Sequence, residues 1–171
     1  METVGRLSMG PFCRLSAAYY DYAWQSVLLL FWPIITTMEM HIVPPQLRKE
    51  VGKSLCSGIL KLRFQRYSSV PDFIPKQTHL ESLNLEVNEL TDIPHSLSAL
   101  INLTSLVLSK NKLTSIPEAI FELAQLRHLD MRDNVIQLVP KEIERLVNLN
   151  HLDLGVNNIS VLPPELGALR G

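Results

Sequence analysis

A shift of 23 residues lays the second half of this chain on itself. Leu80, Leu103, Leu126 and Leu149 fall into one column, followed by Leu83, Leu106, Leu129 and Leu152, and then by Leu85, Leu108, Met131 and Leu154. Asn88, Asn111, Asn134 and Asn157 make a further column without exception. The rest of the unit recurs as well: Leu90, Leu113, Ile136 and Ile159; Ile93-Pro94, Ile116-Pro117, Val139-Pro140 and Leu162-Pro163; Leu97, Ile120, Ile143 and Leu166. A fading earlier copy keeps Leu60, Leu62, Val70, Pro71 and Ile74 but has Gln65 and Tyr67 where Asn and Leu belong. So strict a period restricts the fold to a stack of identical pieces, each of which buries its apolar side only against a neighbour.

Within a unit, Leu83 and Leu85 alternate with polar residues, which predicts a short strand whose leucines point inward. Stacked units then form a parallel sheet. The Asn after the strand carries an amide able to donate to and accept from main-chain groups of adjacent turns. The apolar-Pro pair leaves the strand side, because proline cannot donate to a ladder and extends its predecessor. A short helical or irregular segment such as Glu118 to Leu123 brings the chain back. Strands stack at about 4.8 Å and helical segments at about 10 Å, so the sheet is expected on the concave side of a curved α/β solenoid.

The pattern Leu80-x-x-Leu83-x-Leu85-x-x-Asn88-x-Leu90 and its copies resemble the leucine-rich repeat family over about residues 57 to 171. The 23-residue unit with an Ile/Leu-Pro pair is similar to the intracellular subclass typified by Ras-suppressor, Scribble-type and Ras-pathway scaffold proteins. That resemblance implies a horseshoe with a concave parallel β-sheet and an irregular or short helical convex side. It also implies a protein partner, with small GTPases and phosphatases as the family's common themes, and a cytoplasmic location. The matching residues are core leucines and the Asn column, which specify fold and not partner.

Residues flanking the strand leucines must point away from the core. The concave face is therefore expected to present Ser82, Asn84, Glu86 and Val87; Ser105, Val107, Ser109 and Lys110; His128, Asp130, Arg132 and Asp133; His151, Asp153, Gly155 and Val156. The partner-binding residues expected among them are Asn84, Glu86, Val107, Ser109, Lys110, His128, Asp130, Arg132, Asp133, His151 and Asp153. His128 beside His151 and Asp130 beside Asp153 carry metal-ligating atoms, but the same residues read more simply as solvated polar positions, and no metal or other cofactor is expected. A shallow face excludes little water, and no phosphate-binding, zinc-protease or nucleophile-elbow string occurs, so no enzyme is expected. Lys61, Arg63 and Arg66 with Phe64 and Tyr67 form a basic and aromatic cluster. RNA contact there is the less favoured reading beside a solvated edge strand. About five strands give a face of about 300 Å², below the roughly 800 Å² per partner of a standard interface, so the edges and further repeats are expected to contribute.

The composition is that of a globular chain, 46% hydrophobic and 19% charged, and the formal net charge of -1 supplies no uniform positive field for nucleic acid. Cys13 and Cys56 are too few for a disulfide framework and favour a reducing compartment. Two sequons, at Asn102-Leu103-Thr104 and Asn158-Ile159-Ser160, point the other way. Three parts are expected: an apolar extension over 1–44, a capping helix within 45–56, and repeats over 57–171, with the array truncated at its C-terminal end. The run Val27 to Ile35, interrupted by Pro33, is short for a membrane helix. The flanking Tyr19, Tyr20, Tyr22 and Trp24 nevertheless keep a membrane-anchored, receptor-like fragment as the alternative. After Pro44-Pro45, the four-residue spacing of Leu47, Val51 and Leu55 predicts a helix from Gln46 to Leu55 that covers the first repeat.

Overall fold

In a computed structural model of the chain, the described residues are 43–168. The apolar run and its aromatic flank therefore lie outside the described residues. The described residues from Pro44 onward form one compact unit. A 3-10 turn, Pro45–Leu47, leads into helix α1, Arg48–Ser57. Leu47, Val51 and Ser54 are buried on one face of this helical stretch, while Leu55 is only half-buried. The buried face is thus turned slightly from the one the leucine spacing predicts, toward the small residues Gly52 and Ser54, which are buried beside Val51. Gly58 ends α1 in the left-handed region (φ 67°), and its N–H donates to the Ser54 carbonyl at 2.8 Å.

Five strands follow: β1 Ile59–Lys61, β2 Ser82–Asn84, β3 Ser105–Val107, β4 His128–Asp130 and β5 His151–Asp153. They pair in chain order, all parallel, with Leu60, Leu83, Leu106, Leu129 and Leu152 opposite one another. The pairing offset is the sequence period, and the degenerate first copy supplies β1. Inter-unit backbone bonds continue past the assigned strands, from Leu62 N–H to Asn84 O, Leu85 to Val107, Leu108 to Asp130 and Met131 to Asp153, at 2.7–2.9 Å.

The return side consists of single 3-10 turns at His95–Ala99, Glu118–Glu122, Lys141–Arg145 and Pro164–Ala168, each after the proline pair. These turns are slimmer than α-helices, so the spacing mismatch that drives curvature is smaller than a helical return side would give. Bridges Ser115↔Leu138↔Val161 bring the flank of the last units to strand pairing as well. Leu83, Leu85, Leu90, Leu97, Leu100 and their counterparts in the next two units are essentially inaccessible, forming one continuous core behind the sheet. Among the described residues no helix is long and apolar enough to cross a membrane.

Candidate functional site

Parallel pairing uses the strand N–H and C=O groups within the sheet, so its outer face presents side chains in columns one strand apart. Each column begins from a structural constraint. The Asn column stitches every unit to the one before it. Asn111 Nδ2 donates to Leu108 O at 2.9 Å and to Leu85 O at 3.1 Å, while its Oδ1 accepts from Leu90 N–H at 3.0 Å. Asn134 does the same with Met131, Leu108 and Leu113, and Asn157 with Leu154, Met131 and Ile136. Asn88 serves the degenerate copy, donating to Leu62 O and accepting from the N–H groups of Gln65 and Tyr67. The Gln65 side chain, in the Asn position of that copy, donates through Nε2 to Arg63 O within its own unit.

Just before the Asn, the backbone turns sharply. Phe64, Val87, Lys110, Asp133 and Val156 occupy one column, and all have φ between 54° and 60°. This left-handed geometry costs a non-glycine residue about 1–2 kcal/mol, and more where the side chain is β-branched. It persists because the ladder overdetermines it: Val87 N–H donates to Ser109 O, Lys110 to Arg132 O and Asp133 to Gly155 O, at 2.9–3.1 Å. The turn sends these side chains to the rim of the face.

The remaining columns lie on the face proper. Asn84, Asp130 and Asp153 each fold one side-chain oxygen back onto the N–H two residues later, at 2.8–3.0 Å. These Asx turns close the strand ends, and Val107 interrupts them. The sequence carries this signal as Asn or Asp three residues before the left-handed position, a local role that neither the partner-contact nor the metal reading of these residues includes. His128 and His151 stack as neighbours, ring centroids 4.6 Å apart and 6° from parallel. Among the described residues no group of three or more His, Cys, Asp or Glu is placed to hold a metal ion.

Glu86 receives Arg63 at 2.8 Å and Lys110 at 3.8 Å. The Arg63 guanidinium also lies 5.1 Å from the centre of the Phe64 ring, which is 64% exposed. Arg132 and Asp133 are exposed, and Val107 is half-buried. Ser109 corrects the expectation of an accessible contact: only 5% of it is exposed. It is a short side chain between the longer Glu86 and Arg132 of the same column.

On the opposite border of the strands a second polar stitch escaped the sequence reading. Thr104 Oγ1 donates to Glu81 O, Asn102 Nδ2 to Thr78 O and Asn148 Nδ2 to Ala124 O, at 2.8–3.0 Å. Asn102 is thus part of the stitch as well as of a sequon. The return side holds an open depression of about 510 Å³ bordered by Asp72, Lys76, His95 and Ser98.

The model of the leucine rich repeat family matches residues 59–113, 78–136 and 101–159. Among solved structures, a leucine-rich repeat protein of Leptospira interrogans is similar at 28% identity and TM-score 0.57, over 71% of this chain and 38% of that one. The BIR3–SERK2 complex of Arabidopsis thaliana is similar at 35% identity and TM-score 0.56, over 63% of this chain and 60% of that one. The ectodomain of the Arabidopsis thaliana membrane receptor kinase GASSHO1/SCHENGEN3, in complex with CASPARIAN STRIP INTEGRITY FACTOR 2, is similar at 29% identity and TM-score 0.54. That match covers 64% of this chain and 14% of the ectodomain. The chain therefore spans between 14% and 60% of the length of these three structures. No curated protein sequence matches it.

Proposed function

This chain belongs to the leucine-rich repeat family, and from that premise we propose that it is a protein-interaction module holding a protein partner on the outer face of its sheet. The observation that carries the reading is the pairing of the five strands in unbroken 23-residue register, which fixes exposed side chains in columns on a rigid support. A pre-ordered face loses little conformational entropy on binding. Asn84, Glu86, Val107, Lys110, His128, Asp130, Arg132, Asp133, His151 and Asp153 are the proposed contacts.

The finer reading is an intracellular signalling scaffold or regulatory adaptor, with small GTPases and phosphatases as the first partners to try. Its support is the 23-residue unit and the scarcity of cysteine, two in the chain. A receptor-like fragment is the second reading, favoured by the likeness to a receptor-kinase ectodomain and by the two sequons. A gel shift of the protein from cells after glycosidase treatment selects the second, and an unchanged mobility the first.

For the binding face itself, the full chain is used to capture partners from cell lysate beside Lys110→Glu/Arg132→Glu and beside a return-side control, Lys141→Glu/Arg145→Glu. A partner kept by the control and lost by the face variant is the expected result. A partner lost only by the control moves the site to the return side.

A further inference from the structure

Charge on the outer face is sorted along the stack. On the β1–β3 side Lys61, Arg63 and Lys110 stand with one carboxylate, Glu86, which Arg63 and Lys110 already engage. On the β4–β5 side Asp130, Asp133 and Asp153 stand with one cation, Arg132. Among the described residues neither these three carboxylates nor Lys61 makes an ion pair. The face is a strip, positive at one end and negative at the other, with half-buried Val107 and the small Ser82 and Ser105 toward its middle.

We infer that the strip recognises a protein helix whose charge runs from acidic at its N-terminal end, lying over β1–β3, to basic at its C-terminal end, lying over β4–β5. This rests on the reading of the outer face as the partner site. Three physical points select the occupant. The strand N–H and C=O groups lie in the plane of the sheet and not out of its face, so the face offers an extended peptide no ladder to join, whereas a helix arrives with its backbone bonds already made. Acidic residues in the first turn and basic residues in the last also stabilise a helix against its own dipole, so the required charge order is the one a stable helix carries. Finally, strands at about 4.8 Å place β1 about 19 Å from β5, the length of about 13 helical residues. Small Ser82 and Ser105 let the helix settle onto Val107 while its ends meet the opposite charges.

The test uses the full chain and two designed helical peptides of about 16 residues. In the sorted peptide Glu fills the first two turns and Lys the last two; in the mixed peptide the same residues alternate from turn to turn. At low salt, where screening is weak, the sorted peptide is expected to bind about tenfold tighter. A spin label on its N-terminus is expected to broaden amide signals of β1 and β2 and spare those of β5. Lys61→Glu/Lys110→Glu, which alters exposed residues only, is expected to abolish the preference.

Equal affinities, with broadening spread over the face, overturn the charge order and leave the face as the partner site. Failure of both peptides to bind overturns the helix as occupant, while the lysate capture still decides the site. Broadening confined to the return side, together with partner loss in the return-side variant, overturns both readings.

Discussion

The interior units and the last unit carry the same leucines, yet those leucines do different things. Leu106 and Leu129 are fully buried, whereas Leu152 and Leu154 in the matching places are half-buried, and Leu162 is 54% exposed where Ile116 and Val139 are at most 4% exposed. Nothing local distinguishes them: the strand, the Asn and the proline pair all recur. A repeat motif aims a side chain, and the following unit buries it. The first units show the converse, because α1 covers β1 and even the degenerate copy keeps Leu60 and Leu62 inaccessible.

The largest effect that sharpens this contrast comes from matched truncations. Leu106→Ala is expected to cost about 2–5 kcal/mol through the cavity it leaves, and Leu129→Ala the same. Leu152→Ala should cost less, since part of its surface is already in contact with solvent. Urea unfolding measures both. Equal costs would mean that the last unit has a cover within the folded chain.

The Asn column supplies the next comparison. Asn111→Ala leaves the Leu90 N–H without its acceptor and removes one of the two Asn donors on each of the Leu85 and Leu108 carbonyls, for an expected loss of about 1–3 kcal/mol. Asn157→Ala, part-buried, is expected to cost about 1 kcal/mol. If the two variants melt together, the stitch is worth the same at a buried and at a part-buried Asn, and water does not substitute for it.

A smaller effect belongs to the first units. Burial lowers the pKa of His79 from its usual value of 6.5, and its hydrogen bond to the Ser54 backbone only partly offsets this. Its Nε2 is enclosed without a partner among the described residues. Folding thus favours the neutral imidazole, and the unfolded chain takes up the proton first. Stability contributed by His79 is present above pH 6.5 and is lost as pH falls through the depressed folded value. Hydrogen exchange should show α1 opening more in acid than β3 or β4, and His79→Gln should flatten that pH dependence.

The smallest expected change is a gain. Val87 and Val156 occupy the left-handed turn position at φ 56° and 54°. Val87→Asn, and equally Val156→Asn, should raise stability by about 0.5–1 kcal/mol, since Asn tolerates this region and a β-branched residue does not. Thermal melting distinguishes that gain from the loss expected if the valine side chain itself packs usefully.

Much of the architecture is legible in the sequence because a 23-residue period repeats its evidence. The inward leucines, the strands, the Asn bonds between units and the short helical return turns all follow from residue type at fixed spacing. The face was legible as columns, since alternation decides which side chains leave the core. Its finer character was less so. Ser109 lies hidden between two longer neighbours, and Asp130 and Asp153 each commit one oxygen to their own strand end. Both facts depend on the geometry of adjacent units, which a linear pattern does not contain.

The sequence by itself determined that this chain stacks, in which register, and which residues point into the stack, because these are properties of one unit repeated. Only the tertiary structure decided which leucines are buried in fact, that the turn before each Asn is left-handed, and that Arg63 and Lys110 meet at Glu86 on the outer face. Those outcomes arise between units, from parallel pairing that brings residues 23 apart to strand spacing and lets each unit finish, strain or cover its neighbour.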